Sequence, residues 1–313
     1  MAVYTSINPT ELSEWLKKFN FENFIDFNGI SSGVTNSNYV IFMPNSNYIL
    51  TIFEHNNNIE ELQFYVDLMT YLTEKNFLCP RPIKNNNGQA VGLLKDKPAL
   101  MVSFLDGKEI SIRDSKNCYL VGQYLAKLHL KTNNFPQANE NTRDLSWISS
   151  MYLNLKEYLS LEDQKIIELE INYHKVIDKV VLPEGVIHGD LFRDNVLFFN
   201  DKVSGFIDFY YACNEKFIYD IAIAINDWCI DDDGKINKLL YSEFIKGYQS
   251  ERKLTDNENE YFNSALRLAA LRFWLSRLED FHNAKEGEIT SIKDPNHFKD
   301  ILVNRQTMEN YAN

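Results

Sequence analysis

A strand–loop–strand segment past the middle of the chain constrains the fold more than any other part of the sequence. Residues 186–210 read VIHGDLFRDNVLFFNDKVSGFIDFY. A short apolar run leads into a polar loop at His188-Gly189-Asp190, and a second strand-like run ends in Ile207-Asp208-Phe209. Helical spacing of apolar residues dominates on both sides of the segment. The pattern predicts one compact strand-and-loop stretch inside a mainly helical region.

Three side chains of this segment carry oxygen atoms at a spacing that suits phosphoryl transfer. Asn195 follows Asp190 by five residues, and Asp208 follows it by eighteen. Phosphoryl transfer needs a base that orients the attacking hydroxyl and a divalent metal on the phosphates, and magnesium prefers oxygen ligands. We therefore expect Asp190 to accept the proton of a substrate hydroxyl, and Asn195 and Asp208 to hold Mg²⁺ on ATP. The alternative is that these groups only cap turns between buried strands.

The pattern along the chain changes once, near residue 104. Before it, short alternating runs predict antiparallel strands at 27–30, 38–43, 48–53, 90–94 and 99–104, with helices at 10–19 and 60–72. After it, helices dominate, beginning with one capped by Asp114 or Ser115. We expect an α+β, protein-kinase-like fold of two lobes. A small antiparallel-sheet lobe (1–104) would bind nucleotide, and a larger, mainly helical lobe (105–313) would carry catalysis and bind substrate.

The segment resembles the catalytic loop of the aminoglycoside phosphotransferase-like kinases, which include choline and methylthioribose kinases. The similarity is greater to the bacterial homoserine kinases of that superfamily, through the stretches GISSGVTNSNYVIF, YILTIFE, LCPRPI, GQYLAKLHL, VIHGDLFRDNVLF and ALRLAALRFWLSRLEDFH. This resemblance implies a cytoplasmic enzyme of threonine biosynthesis that converts ATP and L-homoserine into ADP and O-phospho-L-homoserine.

Two further stretches are candidates for binding ATP. Backbone amides and hydroxyl groups of the turn between the first two strands suit phosphate oxygens, because glycine permits close approach; the candidates are Ser31, Ser32, Gly33 and Thr35. Residues 101–105 occupy the position of the lobe crossover, where the backbone of Ser103 and Leu105 would contact adenine. A plain hairpin turn and a plain core strand are the respective alternatives.

One departure from the kinase pattern lies in the third strand. Kinases carry a lysine there that pairs with nucleotide phosphates, whereas this chain has Thr51. Either Arg81 or Lys84 supplies the charge, or magnesium and loop amides suffice. A glutamate partner at Glu60 or Glu61 is left open.

Histidine and aspartate residues near the loop have structural interpretations. The superfamily resemblance implies that Asp220, at the start of an apolar helix, accepts backbone hydrogen bonds from the catalytic loop; simple helix capping is the alternative. His188 is expected to orient the same loop. His129, one residue beyond an apolar stripe, is expected to be a structural histidine with satisfied hydrogen bonds.

The acceptor site is sought among charged residues of the C-terminal helices. A zwitterionic acceptor needs an arginine and a carboxylate, and Arg272 and Arg277 lie in a helix (266–281) that is apolar almost all round, which predicts that this helix is buried. They are about 140° apart on that helix, so they are expected to point in different directions, with an Arg277–Asp280 pair as the structural alternative. Asp227 is the candidate for the ammonium group, together with Asn226 and with Trp228 unless Trp228 belongs to the core.

Composition sets the remaining limits. With 313 residues and 44% hydrophobic residues, the chain can bury a large core. The net charge of −12 argues against nucleic acid as a partner, and no run approaches the length of a membrane span. Four widely spaced cysteines predict reduced packing residues in an intracellular protein. Two hypotheses compete with homoserine phosphorylation: a kinase for choline, methylthioribose, an amino sugar or an aminoglycoside, and a catalytically silent nucleotide-binding module.

Overall fold

The protein is described by a computed structural model that covers residues 4–21, 24–30, 36–54, 58–177, 179–282 and 293–307. Its described residues form two compact units. The first contains residues up to 107 together with 204–210, and the second contains 108–203, 211–282 and 293–307. Residues 204–210, which include Asp208, belong to the first unit although they lie far along the chain, and the sequence did not predict this.

The first unit is built on a five-stranded antiparallel sheet in the order β1-β2-β3-β5-β4. Its elements are α1 (Pro9–Leu16), β1 (Asp26–Gly29), β2 (Ser37–Phe42), β3 (Asn47–Ile52), α2 (Ile59–Glu74), β4 (Val91–Leu94) and β5 (Lys97–Ser103). Alternate residues of β2 are buried, as expected for a strand with one face on a core. The predicted strands, hairpin and two helices are confirmed.

Helix α1 supplies one side of the core of this unit. Leu12, Trp15 and Leu16 pack in one cluster with Ile41 and Leu50 of the sheet. The helix starts earlier than the predicted Thr10, because a cap precedes it: the Asn8 side chain accepts a hydrogen bond from the amide of Glu11 at 2.9 Å, and the Glu11 carboxylate accepts one from the amide of Asn8 at 2.9 Å.

The second unit is mainly helical. Its helices are α3 (Ser115–Thr132), α4 (Leu145–Leu155), α5 (Leu161–Ile177), α6 (Phe217–Trp228), α7 (Lys238–Glu251), α8 (Asp256–Glu260), α9 (Phe262–His282) and α10 (Asn296–Gln306). Strand β6 (Glu184–Ile187) pairs antiparallel with β9 (Cys213–Lys216). Strand β7 (Val196–Phe199) is followed by β8 (Lys202–Phe206), whose residues 204–206 belong to the first unit. Asp114 is the cap of α3 and accepts from the amide of Asn117 at 2.7 Å. The predicted α+β class is confirmed.

Helices α6 and α9 form the centre of this unit. Nearly every residue of α6 is buried, and so is the first part of α9, from Phe262 to Leu275. Beyond Leu275 the side chains of α9 are half-buried or exposed. The prediction of burial along 266–281 is therefore wrong for the last turns of α9, which carry charged residues.

Two general expectations can be compared with the structure. All four cysteines are free and buried, as predicted for packing residues. Among the described residues, none of the helices combines the length and the apolar character that crossing a bilayer requires.

Candidate active site

The loop that follows β6 depends on a glycine. Gly189 has a φ of +76°, a left-handed conformation that side chains disfavour. A Cβ atom at this position would lie 2.6 Å from the carbonyl oxygen of Tyr211, so any larger residue would displace the backbone. The glycine thus sets the direction in which the next residue, Asp190, leaves the strand.

Asp220 supports this loop through hydrogen bonds to its backbone. Its carboxylate is fully buried and accepts hydrogen bonds from the amides of His188 at 2.8 Å and Gly189 at 2.9 Å. These bonds agree with the support that the resemblance implies. Helix α6 begins at Phe217 rather than at Asp220, and the carboxylate caps the loop amides in place of its own helix. His188 contributes as well, because its Nδ1 accepts from the amide of Asp190 at 3.3 Å.

A buried chain of hydrogen bonds continues from Asp220, and we call its five members the loop-support network. His129 Nε2 lies 3.0 Å from Asp220 Oδ2, and His129 Nδ1 lies 2.8 Å from the hydroxyl oxygen of Tyr248. Arg252 donates to that oxygen at 3.2 Å and to the Glu258 carboxylate at 2.9 and 3.1 Å. His129, Asp220, Tyr248 and Glu258 have no exposed surface.

The protonation states in this network follow from burial. Burial lowers the pKa of His129, although Asp220 opposes the shift, so the ring is neutral. Its Nε2–H then donates to Asp220, and the Tyr248 hydroxyl donates to Nδ1. Burial alone would raise the pKa of Asp220, but hydrogen bonds from His129 and the loop amides leave that pKa below its usual value. His129 is the satisfied structural histidine that the sequence predicts.

Asp190 and Asn195 come together at the end of the loop. The Asn195 amide nitrogen donates to the backbone carbonyl of Asp190 at 2.8 Å and to its Oδ2 at 3.2 Å. Within the described part of the chain, Asn195 Oδ1 accepts no hydrogen bond. An amide oxygen held in this way suits a hard cation such as magnesium.

Arg272 of α9 faces the Asp190 carboxylate. Its Nη1 lies 3.7 Å from Asp190 Oδ1, and the guanidinium stacks over the ring of Phe273 at 3.7 Å. The arginine is only 4% exposed, yet Nη1 has no hydrogen-bond partner among the described residues. Burial raises the pKa of Asp190 to about 6, and the charge of Arg272 only partly offsets this. An unsatisfied buried guanidinium beside a carboxylate of raised pKa is typical of a functional site.

Arg277 occupies a different environment. It donates to the carbonyl of Asp294 at 3.3 Å, and its guanidinium lies 4.3 Å from the ring centroid of Phe298. Burial lowers the pKa of Arg277, and the negative charge of Asp190 is one of several that oppose this shift. The two arginines thus have different direct contacts, in line with the angle between them on the helix.

The Asp227 carboxylate forms an ion pair with Arg193. Its Oδ2 accepts hydrogen bonds from Arg193 Nε at 3.0 Å and from the Arg193 backbone amide at 2.8 Å, and its Oδ1 accepts one from Arg193 Nη2 at 3.0 Å. This bidentate pair ties α6 to the turn before Asn195, a link that sequence spacing did not reveal. The assignment of Asp227 to the acceptor stays a prediction that these contacts do not favour.

The neighbours of Asp227 are structural. Asn226 is fully buried, donates to the carbonyl of Leu266 at 2.8 Å and accepts from Arg305 Nε at 3.1 Å. Trp228 has no exposed surface. The suggestion that Asn226 and Trp228 bind an ammonium group is therefore wrong, and Trp228 belongs to the core.

The first unit contains the remaining candidates. Ser31, Ser32, Gly33 and Thr35 lie outside the described residues. Ser103 ends β5, where its hydroxyl accepts from the amide of Arg81 at 2.9 Å and its own amide donates to the Arg81 carbonyl at 2.9 Å. Leu105 follows β5 and is half-buried. The adenine-binding roles of Ser103 and Leu105 stay predictions.

Asp208 follows β8 in an unusual conformation. Its φ is +64°, in the left-handed region that few residues other than glycine adopt. Such backbone positions cluster at functional sites, where surrounding contacts hold them. Two residues on, Tyr210 packs edge-on against Phe53 at 4.9 Å and Tyr65 at 5.8 Å, which fixes the chain just after Asp208.

The position of the absent lysine is filled by a hydrogen-bonded threonine. Thr51 is 3% exposed and donates to Asn38 Oδ1 at 2.7 Å. Arg81 and Lys84 are exposed, and their proposed replacement of the charge is untested. The first unit does contain a lysine–glutamate pair that was not expected: Lys97 of β5 binds Glu54, which follows β3, and Lys97 also donates to the Thr5 hydroxyl at 2.8 Å.

Similarity to known proteins extends over nearly the whole chain. The family model described as "Phosphotransferase enzyme family" matches residues 26–254. A homoserine kinase from Methylobacillus flagellatus is 40% identical over 302 residues, covering 96% of this chain and 94% of the relative. A homoserine kinase from Neisseria meningitidis is 40% identical over 303 residues, covering 97% and 99%.

Solved structures agree at the level of the fold. Amicoumacin kinase hAmiN, in complex with AMP-PNP and Ca²⁺, superimposes with a TM-score of 0.70 at 16% identity, covering 96% of this chain and 92% of that one. Choline kinase LicA from Streptococcus pneumoniae gives a TM-score of 0.70 at 12% identity, covering 96% and 99%. The protein-kinase-like fold expected from the sequence is confirmed.

Proposed function

Because the chain belongs to the phosphotransferase enzyme family, we propose that it transfers the terminal phosphoryl group of ATP to the hydroxyl of L-homoserine. The products are ADP and O-phospho-L-homoserine, an intermediate of threonine biosynthesis, and the proposed location is the cytoplasm. The observation that carries the proposal is 40% identity with homoserine kinases over almost their full length.

Asp190 is the proposed proton acceptor. It is oriented by Asn195 through two hydrogen bonds and by the fixed backbone of Gly189. In its ionised form the carboxylate accepts a hydrogen bond from the acceptor hydroxyl, directs that oxygen toward the phosphoryl group and takes its proton. A carboxylate with a pKa of about 6 is largely ionised at neutral pH, and it is more basic than an exposed aspartate.

Magnesium and ATP are the proposed cofactors. The amide oxygen of Asn195 and the carboxylate of Asp208 are hard donors, and two protein ligands suit a magnesium ion whose other ligands are water and phosphate. Bound magnesium would neutralise negative charge on the phosphate oxygens. The backbone of 31–35 and the residues Ser103 and Leu105 are the proposed nucleotide contacts.

The buried guanidinium of Arg272 is the proposed carboxylate-binding group of the acceptor site. Its Nη1 has a free donor in a position next to Asp190. A charged hydrogen bond to a carboxylate would satisfy that donor and hold the hydroxyl end of the same molecule near the base. Arg277 is a second candidate, although a backbone carbonyl already accepts from it.

A panel of acceptors tests the proposal. The protein is incubated with magnesium-ATP and either homoserine, serine, choline, methylthioribose or kanamycin, and ADP release is coupled to a change in absorbance. We expect strong release with homoserine and weak release with the others. Release with kanamycin or choline alone would replace the proposed acceptor, and ATP binding without release in any reaction would indicate a silent module.

A further inference from the structure

Residues 293–298 contact the arginines of the proposed acceptor site, and the inference that follows rests on that proposed function. They read KDPNHF, and helix α10 begins among them at Asn296. The proposed proton transfer and the proposed nucleotide contacts use none of them. The aromatic side chain of this stretch, Phe298, is only 1% exposed, so its ring is fixed by its neighbours.

Phe298 belongs to a stack of rings and guanidinium groups. Its ring stacks on that of Phe273 of α9, with 5.2 Å between the ring centroids and 27° between the planes. The Arg272 guanidinium lies 3.7 Å from the centroid of Phe273, and the Arg277 guanidinium lies 4.3 Å from the centroid of Phe298. Two rings in contact with each other thus pack against both arginines of α9.

A third ring connects this stack to the catalytic loop. The centroid of Phe192 lies 4.5 Å from that of Phe273 and 6.0 Å from that of Phe298. Phe192 follows Asp190 by two residues, and its amide donates to the Asp190 carbonyl at 2.9 Å. The rings of Phe192, Phe273 and Phe298, which we call the ring cluster, therefore contact the loop of the proposed base and both candidate carboxylate-binding groups.

Polar contacts hold the start of α10 in the same place. The carbonyl of Asp294 accepts from Arg277 at 3.3 Å, and Lys293 pairs with Asp194 of the loop at 2.9 Å. Both members of this ion pair are exposed by almost half, so the pair contributes little to stability. The buried ring of Phe298 is the stronger contact of the stretch, because burying an aromatic ring contributes more than an exposed ion pair.

The ring cluster has a specific effect on a guanidinium group. An arginine side chain has several rotatable bonds, and it keeps one direction only where its neighbours hold it. A ring attracts the flat face of the guanidinium, whereas the N–H donors lie in the guanidinium plane. Arg272 Nη1 accordingly lies 3.7 Å from Asp190 Oδ1 and has no hydrogen-bond partner among the described residues. Stacking thus fixes the plane of the group without using its donors.

We propose that Phe298 is a positioning residue that orients the guanidinium groups of Arg272 and Arg277 for the carboxylate of the acceptor. It acts on Arg277 through direct contact and on Arg272 through the ring of Phe273. Because the rings occupy the faces of the guanidinium groups and not their donors, Phe298 determines how strongly the enzyme prefers acceptors that carry a carboxylate.

Two acceptors that differ only in the carboxylate test this role. The kcat/KM values of homoserine and 3-aminopropan-1-ol are measured with the full-length protein and magnesium-ATP, and their ratio is the carboxylate preference. We expect Phe298→Leu to lower this preference about 5- to 30-fold, mainly through the KM for homoserine. The value for 3-aminopropan-1-ol should change less than about threefold, because that acceptor has no group for the arginines to bind.

Two comparisons separate positioning from a general loss of packing. Ile301→Ala is the matched control on α10, because Ile301 is fully buried and its Cγ1 faces Gly234; it should keep the preference of the wild type. In a protein that carries Arg272→Gln and Arg277→Gln, adding Phe298→Leu should change the preference less than about twofold, because no guanidinium is left to orient. An equal loss in Ile301→Ala, or an undiminished effect in the protein without these arginines, would overturn the role of Phe298.

A second substitution guards against a variant that does not fold. Urea denaturation checks the folding of each protein, and Phe298→Met, which fills the space without a ring face, should lower the preference as Phe298→Leu does. A wild-type preference in either folded variant would overturn the inference and leave the proposed function intact. If the wild type phosphorylates no homoserine, the proposed function itself fails, so the two failures are distinguishable.

Discussion

Two groups of charged residues in the second unit each include one member that contacts the loop at His188-Gly189-Asp190, Asp220 in one group and Arg272 in the other, and the groups differ in how their charges are satisfied. In the loop-support network every side chain from Glu258 to Asp220 has a hydrogen-bond partner, and burial is complete at four of its five members. In the charged half of α9 (Arg272, Arg277, Glu279 and Asp280), Arg272 Nη1 and the Asp280 carboxylate lack such partners among the described residues.

The difference separates structure from function. A buried polar group with all its partners stabilises one conformation, whereas one without partners lowers stability. Asp220 and Asp190 illustrate this with pKa shifts of opposite sign: hydrogen bonds leave the pKa of Asp220 low, and burial raises the pKa of Asp190 to about 6. We infer that the loop-support network fixes the loop, and that Arg272 in the charged half of α9 is held ready for a ligand.

The largest expected effect is the loss of catalysis in Asp190→Asn. The amide keeps the shape but cannot accept the proton, so kcat should fall by about 10²- to 10⁴-fold. The Kd for ATP should change little, because Asp190 is not a proposed nucleotide ligand. Turnover that survives within a few-fold in a steady-state assay would show that Asp190 is not the base.

The next prediction concerns stability and tests the loop-support network by changing Asp220. Asp220→Asn replaces one acceptor oxygen by a donor, which leaves buried N–H groups of the loop unsatisfied. We expect the free energy of unfolding to fall by about 3 kcal/mol, measured by urea denaturation. Asp256→Asn is the matched surface control and should stay within about 0.5 kcal/mol. Equal stability of the two variants would contradict the support that we assign to Asp220.

Because burial raises the pKa of Asp190, we predict that replacing its carboxylate stabilises the folded protein. Its folded-state pKa of about 6 exceeds the ordinary value of 3.8, so the folded state binds the proton more tightly and loses stability as pH rises between these values. Above pH 6 the loss is complete, at about 3 kcal/mol. Asp190→Asn should therefore be more stable than the wild type at pH 7, by an amount that disappears toward pH 4.

Denaturation curves of the ligand-free proteins at pH 4, 5, 6 and 7 check this prediction. A difference in unfolding free energy that does not vary with pH would mean that the carboxylate carries no desolvation cost.

The smallest effect tests the outer end of the loop-support network. Tyr248→Phe keeps the ring but leaves His129 Nδ1 without its donor, which should cost about 1–2 kcal/mol of stability and lower kcat less than tenfold. The control is Tyr158→Phe, because Tyr158 is 63% exposed and its ring stacks on His282. Nitrogen NMR of His129 should show the Nε2–H tautomer in all three proteins, because Asp220 still accepts from Nε2–H, and the Nδ1 signal should shift only in Tyr248→Phe. An Nδ1 signal that is the same in Tyr248→Phe as in the wild type would contradict the network.

Much of this arrangement is predictable from local sequence, and the reason is physical. The strands of the sheet follow two-residue alternation, and the loop residues Asp190 and Asn195 are five positions apart, so local geometry brings them together. The role of Asp220 as an acceptor for the backbone amides of the loop also follows from the resemblance. Each of these depends on short-range spacing or on a motif.

The contacts that sequence reasoning missed join residues far apart in the chain. Arg193 and Asp227 are 34 positions apart, and His129 and Tyr248 are 119 apart. Periodicity shows that Arg272 is buried but not which carboxylate it faces, because tertiary packing decides that. The exposed end of α9 was missed for a similar reason: its composition is still apolar in part, and its exposure depends on which other parts of the chain pack against it.

A crystal structure with homoserine, magnesium and a non-hydrolysable ATP analogue tests the central claim most directly. The account predicts the acceptor hydroxyl within about 2.6–3.2 Å of the Asp190 carboxylate, with the acceptor carboxylate on Arg272. A homoserine molecule whose hydroxyl lies against another group, with Asp190 turned away from it, would contradict the account.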